Sequence, residues 1–487
     1  MTTSAPLALK DPDLLRSQCF IGGSWRGGPG FDVTNPATGA VIGQVPMFGA
    51  AETTEAVEAA ERAFRPWAAK TAKERAALLR RWFDLIIANR DDLALILTSE
   101  QGKPLAEARG EIDYAAAYVE FYAEEAKRIA GETLPSHRAD ARILVLRQAT
   151  GVVAAITPWN FPAAMITRKV APALAAGCPA VVKPAEDTPL TALALAVLAE
   201  RAGLPAGTLS VVTGDPPAIG GVLTSHPAVR VVSFTGSTEV GKLLMRQCST
   251  TVKKVALELG GNAPFLVFDD ADLDAAVEGA MVSKFRNMGQ TCVCANRIYV
   301  QSGIHDAFVA RLAEAVGRLR LGAGTEDGVT QGPLINQQAI EKVEAHLADA
   351  TAKGATIVRG GTRSSLGGTF FEPTVLSGVT SEMVVTREET FGPIAPVFRF
   401  ETEAEAVAAA NATEFGLAAY FFTRDVGRVF RVAEALDYGI VGINSGLIST
   451  ELAPFGGVKE SGFGREGSHH GIDEFVEKKY VLVAGLG

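Results

Sequence analysis

Short apolar runs rich in β-branched residues alternate with helix-forming stretches through the middle of the chain. The predicted order is strand 152–157, helix 162–176, strand 180–182, helix 189–202, strand 209–212, helix 217–224, strand 229–234, helix 237–248 and strand 255–257. Strands that alternate with helices on short connections predict a parallel sheet with helices on both faces. Ligands of such sheets bind at the carboxyl ends of the strands.

The alternation restarts in the second half of the chain and predicts a second α/β unit. Its elements are strand 265–268, helix 273–285, strand 298–300, helix 304–319, strand 394–400, helix 404–412, strand 419–423, helix 426–436 and strand 440–444. Before the first unit, residues 51–131 predict three helices. Two strand-like segments, 141–148 and 480–484, belong to neither alternation and need another sheet to join, such as that of a neighbouring subunit.

Composition narrows the class of protein. The 487 residues suggest two or three domains, and 46 basic against 55 acidic residues give a formal charge of −9, which disfavours general nucleic-acid binding. No apolar run is long enough for a membrane span, and no secretory signal is visible, so we expect a cytoplasmic protein. Five cysteines, an odd number, fit a reducing compartment, and six histidines show no metal-ligand spacing, so no metal is expected.

Six motifs with polar or reactive residues follow predicted strands or lie in predicted turns. They are Thr157–Pro162, Val182–Glu186, Phe234–Gly241, Leu257–Asn262, Gly289–Cys294 and Glu388–Pro393. Each one alone has a simpler explanation. A lone cysteine is usually a small buried apolar residue, and charged residues at a strand end are usually solvated. Ser237 could be no more than the N-cap of a helix.

Together, in this order and spacing, the six motifs resemble the aldehyde dehydrogenase superfamily. The resemblance covers nearly the whole chain, to 454–457 and 464–467, and the Ser283–Asn287 segment is similar to succinate-semialdehyde dehydrogenases. It implies a Rossmann-like cofactor domain, a second α/β catalytic domain and a small β-extension for oligomerisation. The implied boundaries are 1–130 with 149–257 and a return at 450–469, then 258–449, then 131–148 with 470–487.

The resemblance assigns the chemistry to three residues. Cys292 matches the nucleophile, Asn160 the side chain that stabilises the oxyanion, and Glu258 the base that activates water. A CoA-acylating relative would not need Glu258, and a non-catalytic relative would have lost one of the three. Glutarate semialdehyde, or a broader range of aldehydes, remains an alternative to succinate semialdehyde.

The resemblance also implies a dinucleotide cofactor. The matching residues are Thr157, Trp159, Lys183, Glu186, Gly236, Ser237, Leu259, Glu389 and Phe391. Glu186 would accept a hydrogen bond from the ribose 2′-hydroxyl and repel a 2′-phosphate, which favours NAD. Related semialdehyde dehydrogenases that look NADP-dependent carry a small residue at this position. Lys183 could still assist a phosphate, so NADP remains possible.

Arg168, Arg286 and Ser449 match positions that hold the substrate carboxylate in succinate-semialdehyde dehydrogenases, although by spacing alone both arginines could be surface charges. Cys294 is a redox candidate, because an extended Cys292–Cys294 segment would place both thiols on one side. It could equally be a packing residue. The partners implied are a small aldehyde and a second copy of the chain, in a dimer or tetramer, with no nucleic acid or membrane.

Overall fold

A computed structural model describes residues 7–486. Its strands in chain order are β1 Cys19–Ile21, β2 Ser24–Arg26, β3 Gly30–Thr34, β4 Val41–Pro46, β5 Glu132–Leu134, β6 Ala141–Ala149, β7 Val152–Ile156, β8 Ala180–Lys183, β9 Leu209–Val211, β10 Val229–Thr235, β11 Lys254–Glu258, β12 Ala263–Val267, β13 Ala295–Gln301, β14 Thr356–Arg359, β15 Thr374–Ser377, β16 Ile394–Phe400, β17 Ala418–Phe422, β18 Ile440–Ile443, β19 Gly462–Phe463 and β20 Val476–Ala484. Its α-helices are α1 Ala50–Ala68, α2 Ala72–Ala88, α3 Arg90–Gln101, α4 Leu105–Glu125, α5 Ala164–Ala176, α6 Leu190–Arg201, α7 Pro216–Ser225, α8 Thr238–Cys248, α9 Leu273–Phe285, α10 His305–Val316, α11 Gln337–Ala352, α12 Val384–Arg387, α13 Glu403–Asn411 and α14 Val426–Ala435.

The first large sheet has the strand order β19-β11-β10-β7-β8-β9-β1-β2. Its five central strands, β11 to β9, run parallel, as predicted, and antiparallel strands complete both edges. The β-branched and alanine-rich sequences of these strands are buried on both faces, as expected for a parallel sheet between helix layers. The carboxyl ends of β7, β8, β10 and β11 therefore bring four of the six motifs to one edge of the sheet.

The second large sheet has the order β14-β15-β16-β13-β12-β17-β18. It is parallel from β15 to β18, with β14 antiparallel at one edge. Residues 259–262 connect the last parallel strand of the first sheet to β12, and the Gly289–Cys294 motif comes just before β13. The predicted mixed α/β architecture with two sheets is confirmed.

Two parts of the prediction differ from the structure. The region expected to hold three helices holds four. Only Asn89 separates the end of α2 from the start of α3, so no break in helical composition marks the boundary. The hairpins β1–β2 and β3–β4, and the elements α11, β14, β15 and α12, had no predicted counterpart.

The two strand-like segments left over by the sequence pair with each other. β6 and β20 form an antiparallel pair over nine residue pairs, and β5 adds a third strand. Leu134, Leu146, Tyr480 and Leu482 are exposed on this small sheet. In the part of the chain that the structure describes, no helix is both long and apolar enough to cross a membrane.

Candidate active site

A cleft of about 440 Å³ lies at the carboxyl edge of the first sheet and reaches the Gly289–Cys294 motif. Eight of the predicted site residues line it: Trp159, Asn160, Gly236, Ser237, Leu259, Cys292, Glu389 and Phe391. These residues are far apart in the sequence, so their convergence on one cavity is the strongest sign of a functional site. We refer to this cavity as the cleft.

Cys292 lies in a turn that is closed by a hydrogen bond from Cys294 N to Thr291 O (3.0 Å). The Tyr420 hydroxyl supports the same turn by donating to Val293 O (2.8 Å). Cys292 is half-buried, and loss of solvent raises the pKa of its thiol to about 12, although the positive charge of Arg168 acts in the opposite direction. The resting residue at neutral pH is therefore a thiol, which must lose its proton to attack a carbonyl.

The expectation of an extended Cys292–Cys294 segment is wrong, because these residues form the turn. Cys294 is buried, and its Sγ donates to Lys284 O (3.4 Å). Both thiols are free in this structure. A Cys292–Cys294 disulfide stays a prediction, and the turn would have to rearrange before an extended geometry could form.

Asn160 connects the loop after β7 to the loop that carries Cys292. Its Nδ2 donates to Gln290 O (3.0 Å), two residues before Cys292. Its Oδ1 is buried and has no hydrogen-bond partner among the described residues. The structure thus brings the Asn160 amide beside the Cys292 turn.

Glu258 is the last residue of β11 and is buried. Burial raises the pKa of this carboxyl well above its ordinary value, and the negative charge of Glu466 raises it further, against the opposing effect of Arg168 and Lys169. Its Oε2 has no hydrogen-bond partner among residues 7–486. A carboxylate whose pKa is raised in this way is a stronger base than an exposed one.

Glu466 was not predicted as a site residue, although the Gly464–Gly467 segment carried part of the resemblance. It is buried, with Arg168 Nε 2.7 Å from its Oε2 and Lys169 Nζ in contact with its Oε1. Lys169 Nζ also donates to Thr235 Oγ1 (2.7 Å). Burial alone would raise the pKa of Glu466, but the two cations outweigh it and lower the pKa.

Glu389 reaches the connection between the two sheets. Its Oε1 accepts a hydrogen bond from Gly261 N (3.1 Å), and burial raises the pKa of this carboxyl to about 7. Phe391 lies nearby with a positive φ of 53° and packs edge-on against Trp159, with ring centroids 5.5 Å apart. These side chains form one wall of the cleft.

Thr157, Lys183 and Glu186 do not line the cleft but lie at the same edge of the sheet. Lys183 Nζ contacts a carboxylate oxygen of Glu186, which is half-exposed. Burial lowers the pKa of Lys183 to about 8, while Asp187 and Asp215 favour its charged form. Thr157 Oγ1 is buried and has no partner within the described part of the chain.

Arg286 and Ser449 line a second, smaller cavity that also contains Thr291, the residue before Cys292. Arg286 is half-buried, and its guanidinium carbon lies 4.8 Å from the centre of the Phe161 ring. It forms no hydrogen bond or ion pair with any of the described residues. We call this cavity the arginine pocket.

Arg168 does not line the arginine pocket. Its guanidinium carbon is 4.0 Å from the centre of the Phe455 ring, and Glu466 compensates part of its charge. Its Nη2 is buried without a partner among residues 7–486, so both N–H groups of this nitrogen remain available. The structure brings Arg286 and Ser449 together in one pocket and places Arg168 outside it, beside Glu466.

The largest omission from the sequence prediction is the start of α11. Five cleft residues come from it or from the residues just before it: Ile335, Asn336, Gln338, Ala339 and Lys342. Asn336 caps the helix, since its Oδ1 accepts from Ala339 N (3.1 Å). That cap, followed by apolar residues at 340, 343 and 347, was the available signal.

Comparison with known proteins gives consistent results. The sequence model of the aldehyde dehydrogenase family matches residues 25–481. A glutarate-semialdehyde dehydrogenase of Pseudomonas aeruginosa is 62% identical, covering 99% of this chain and all of that relative. A succinate-semialdehyde dehydrogenase of Escherichia coli named for NADP(+) is 60% identical, over 98% of this chain and all of the relative. The crystal structure of a succinate-semialdehyde dehydrogenase from Burkholderia pseudomallei superimposes with a TM-score of 0.97 at 66% identity, covering 98% of this chain and 100% of that one.

Proposed function

The chain belongs to the aldehyde dehydrogenase family, and from that premise we propose that it oxidises a short aldehyde with a carboxylate at its far end. Succinate semialdehyde is the first candidate and glutarate semialdehyde the alternative. The observation that carries this choice is Arg286, a half-buried cation that forms no hydrogen bond or ion pair with the described residues, in a pocket next to the turn of the nucleophile. A guanidinium in that state gains more from a carboxylate than one already paired.

In the proposed first step, the Cys292 sulfur attacks the aldehyde carbon. Burial holds the pKa of the thiol near 12, so its proton passes to the nearby carboxylate of Glu258, which must release it to solvent before it can activate water. The second N–H of Asn160 Nδ2 and the backbone N–H of Cys292 would stabilise the alkoxide of the thiohemiacetal. Losing one such donor typically lowers kcat by about 10²–10³-fold.

The cleft fits a nicotinamide dinucleotide. Gly236 and Ser237 lie at the N-terminus of α8, where backbone N–H groups favour a pyrophosphate. Glu389 would hold the nicotinamide-side ribose, with Trp159 and Phe391 beside it. A bound dinucleotide would supply the hydride acceptor, and loss of hydride from the thiohemiacetal would leave a thioester on Cys292.

In the proposed last step, Glu258 takes a proton from water, which hydrolyses the thioester. Burial and the negative charge of Glu466 raise the pKa of Glu258, which makes its carboxylate a stronger base for this task than an exposed one. The contacts of Arg168 and Lys169 with Glu466 keep that second carboxyl ionised and so keep negative charge close to Glu258.

For the cofactor we propose NAD in preference to NADP. Lys183 is the cation available to a 2′-phosphate, but Glu186 already contacts it and would repel the phosphate. The same carboxylate can accept a hydrogen bond from a 2′-hydroxyl. The family as a whole uses either dinucleotide.

We propose further that the first sheet holds the dinucleotide, that the second sheet presents Cys292, and that the β5–β6–β20 sheet joins copies of the chain. Apolar side chains exposed on that small sheet, including Leu146 and Tyr480, support an interface. Light scattering at micromolar concentration tests the last point, and a monomer would contradict it.

Steady-state kinetics test the main proposal. Purified protein is assayed with succinate semialdehyde, glutarate semialdehyde and butanal, each with NAD and with NADP, and with or without CoA. We expect the highest kcat/KM for a carboxylate-bearing aldehyde with NAD, and no dependence on CoA. Equal kcat/KM for butanal and the semialdehydes would contradict the substrate proposal.

A further inference from the structure

A charged cluster on the first helices touches both loops that would form the oxyanion site. It consists of Lys103, in the turn between α3 and α4, and of Glu107 and Glu111, four residues apart on one face of α4. The Lys103 and Glu111 side chains are each 1% exposed, so this pair is held in the interior. None of the three belongs to the cleft or to the arginine pocket.

Lys103 and Glu111 form hydrogen bonds with the backbone of the loop that carries Asn160. Lys103 Nζ donates to Asn160 O (2.7 Å) and to Glu111 Oε2 (2.6 Å), and it lies 3.9 Å from the centre of the Phe161 ring. Glu111 Oε1 accepts from Ala163 N (2.9 Å), at the start of α5, which has no side-chain cap of its own. One buried ion pair therefore holds the Asn160 carbonyl and the backbone three residues later.

Glu107 holds the Cys292 side of the same site. Its Oε2 accepts from Asn287 N (2.9 Å), and Asn287 has a positive φ of 51°, in the left-handed region that asparagine adopts more readily than most other non-glycine residues. Asn287 Nδ2 donates to Asn160 O (3.1 Å), the carbonyl that Lys103 also contacts. Asn160 Nδ2 in turn donates to Gln290 O, which closes the connection between the two loops.

We propose that Lys103, Glu107 and Glu111 are positioning residues that set the distance between the Asn160 amide and the Cys292 turn. This inference rests on the proposed function, because it assigns the cluster to the oxyanion site of that reaction. Both carboxylates project from one rigid helix, so α4 fixes the two loops relative to each other. A displacement of about 1 Å in such a site can lower the rate by about 10²-fold.

Two variants test the proposal, and the first removes both charges of the ion pair together. Lys103→Met with Glu111→Gln removes both charges of the ion pair and keeps an oxygen that can accept from Ala163 N. Glu107→Ala removes the acceptor for Asn287 N, whereas Glu107→Gln keeps it. As a matched control, Arg75→Met loosens the opposite end of α5, because Arg75 Nε donates to Ala175 O (2.9 Å).

The readouts are the single-turnover rate constant for formation of reduced nicotinamide, the rate of Cys292 alkylation by iodoacetamide, and the Kd of NAD. We expect the double substitution and Glu107→Ala each to lower the single-turnover rate constant by about 10- to 100-fold. Alkylation needs no oxyanion site, so it and the Kd should stay within about threefold of wild type. Glu107→Gln and Arg75→Met should retain a rate constant within about the same factor.

A double-mutant cycle with Asn160→Ala decides whether the cluster acts through Asn160. In that background the double substitution should have almost no further effect, because the group it positions is gone. An equal loss in both backgrounds, or an equal loss in Arg75→Met, would overturn the proposal. If wild-type protein reduced neither dinucleotide with any aldehyde, the proposed function itself would fail, which is a separate result.

Discussion

Replacing Arg286 by glutamine should impair the protein selectively, depending on the charge of the aldehyde. Arg286 has no ion pair or hydrogen bond within the described residues, and its guanidinium carbon lies 4.8 Å from the centre of the Phe161 ring. Its charge is therefore available to a ligand, and its loss leaves no hydrogen-bond partner unsatisfied. We expect little change in the melting temperature for that reason.

The magnitude follows from the kind of bond lost. A hydrogen bond to a charged group contributes about 1.5–3 kcal/mol. Arg286→Gln should therefore lower kcat/KM for succinate semialdehyde by about 10- to 150-fold, mainly through KM. Butanal has no carboxylate, so its kcat/KM should change by less than about threefold.

The assay compares both aldehydes on wild type, Arg286→Gln and Arg168→Gln. Arg168 contacts Glu466, so its loss disturbs the buried carboxyl cluster beside Glu258 and should lower activity on both aldehydes. Selective loss in the first variant and general loss in the second would support the assignment. If Arg286→Gln lowered both aldehydes equally, the arginine would be structural and the reasoning would be refuted.

Three further predictions concern the reaction and its cofactor. Glu258→Gln should give one burst of reduced cofactor without sustained turnover. It should also remove the rise of kcat with pH, since only the carboxylate form of Glu258 can accept the proton of water. Steady turnover at the wild-type rate would exclude the assignment of Glu258 as the base. Gly261→Ala should reduce activity by at least about 10²-fold, because the added Cβ would lie 2.3 Å from Cys292 O. As a control, Gly110→Ala should leave activity unchanged, because a Cβ at that position has no atom within 4 Å. Similar activity of the two variants would contradict this prediction. Glu186→Ser should raise kcat/KM for NADP relative to NAD by at least about 10-fold, the effect of removing one unfavourable charge contact, and an unchanged ratio would show that Glu186 does not select the cofactor.

The sequence by itself determined the alternation of strands and helices in both large sheets. Periodicity, β-branching and the residues at turns act over short stretches, so they can be read without a partner. Because parallel strands share one carboxyl edge, the pattern also placed Thr157, Lys183 and Glu258 at a common edge of the first sheet. The resemblance then named Cys292 and Asn160 as candidates, and the structure brings those two together.

Tertiary structure alone decided which charges meet. The contact of Arg168 with Glu466, the hydrogen bond from Gly261 to Glu389 and the contact of Lys103 with Asn160 each join residues that are distant in the sequence. No local pattern encodes such pairs, because burial and the packing of separate elements select them. The same reason explains the turn at Cys292, where support from Tyr420 outweighs the extended geometry that spacing had suggested.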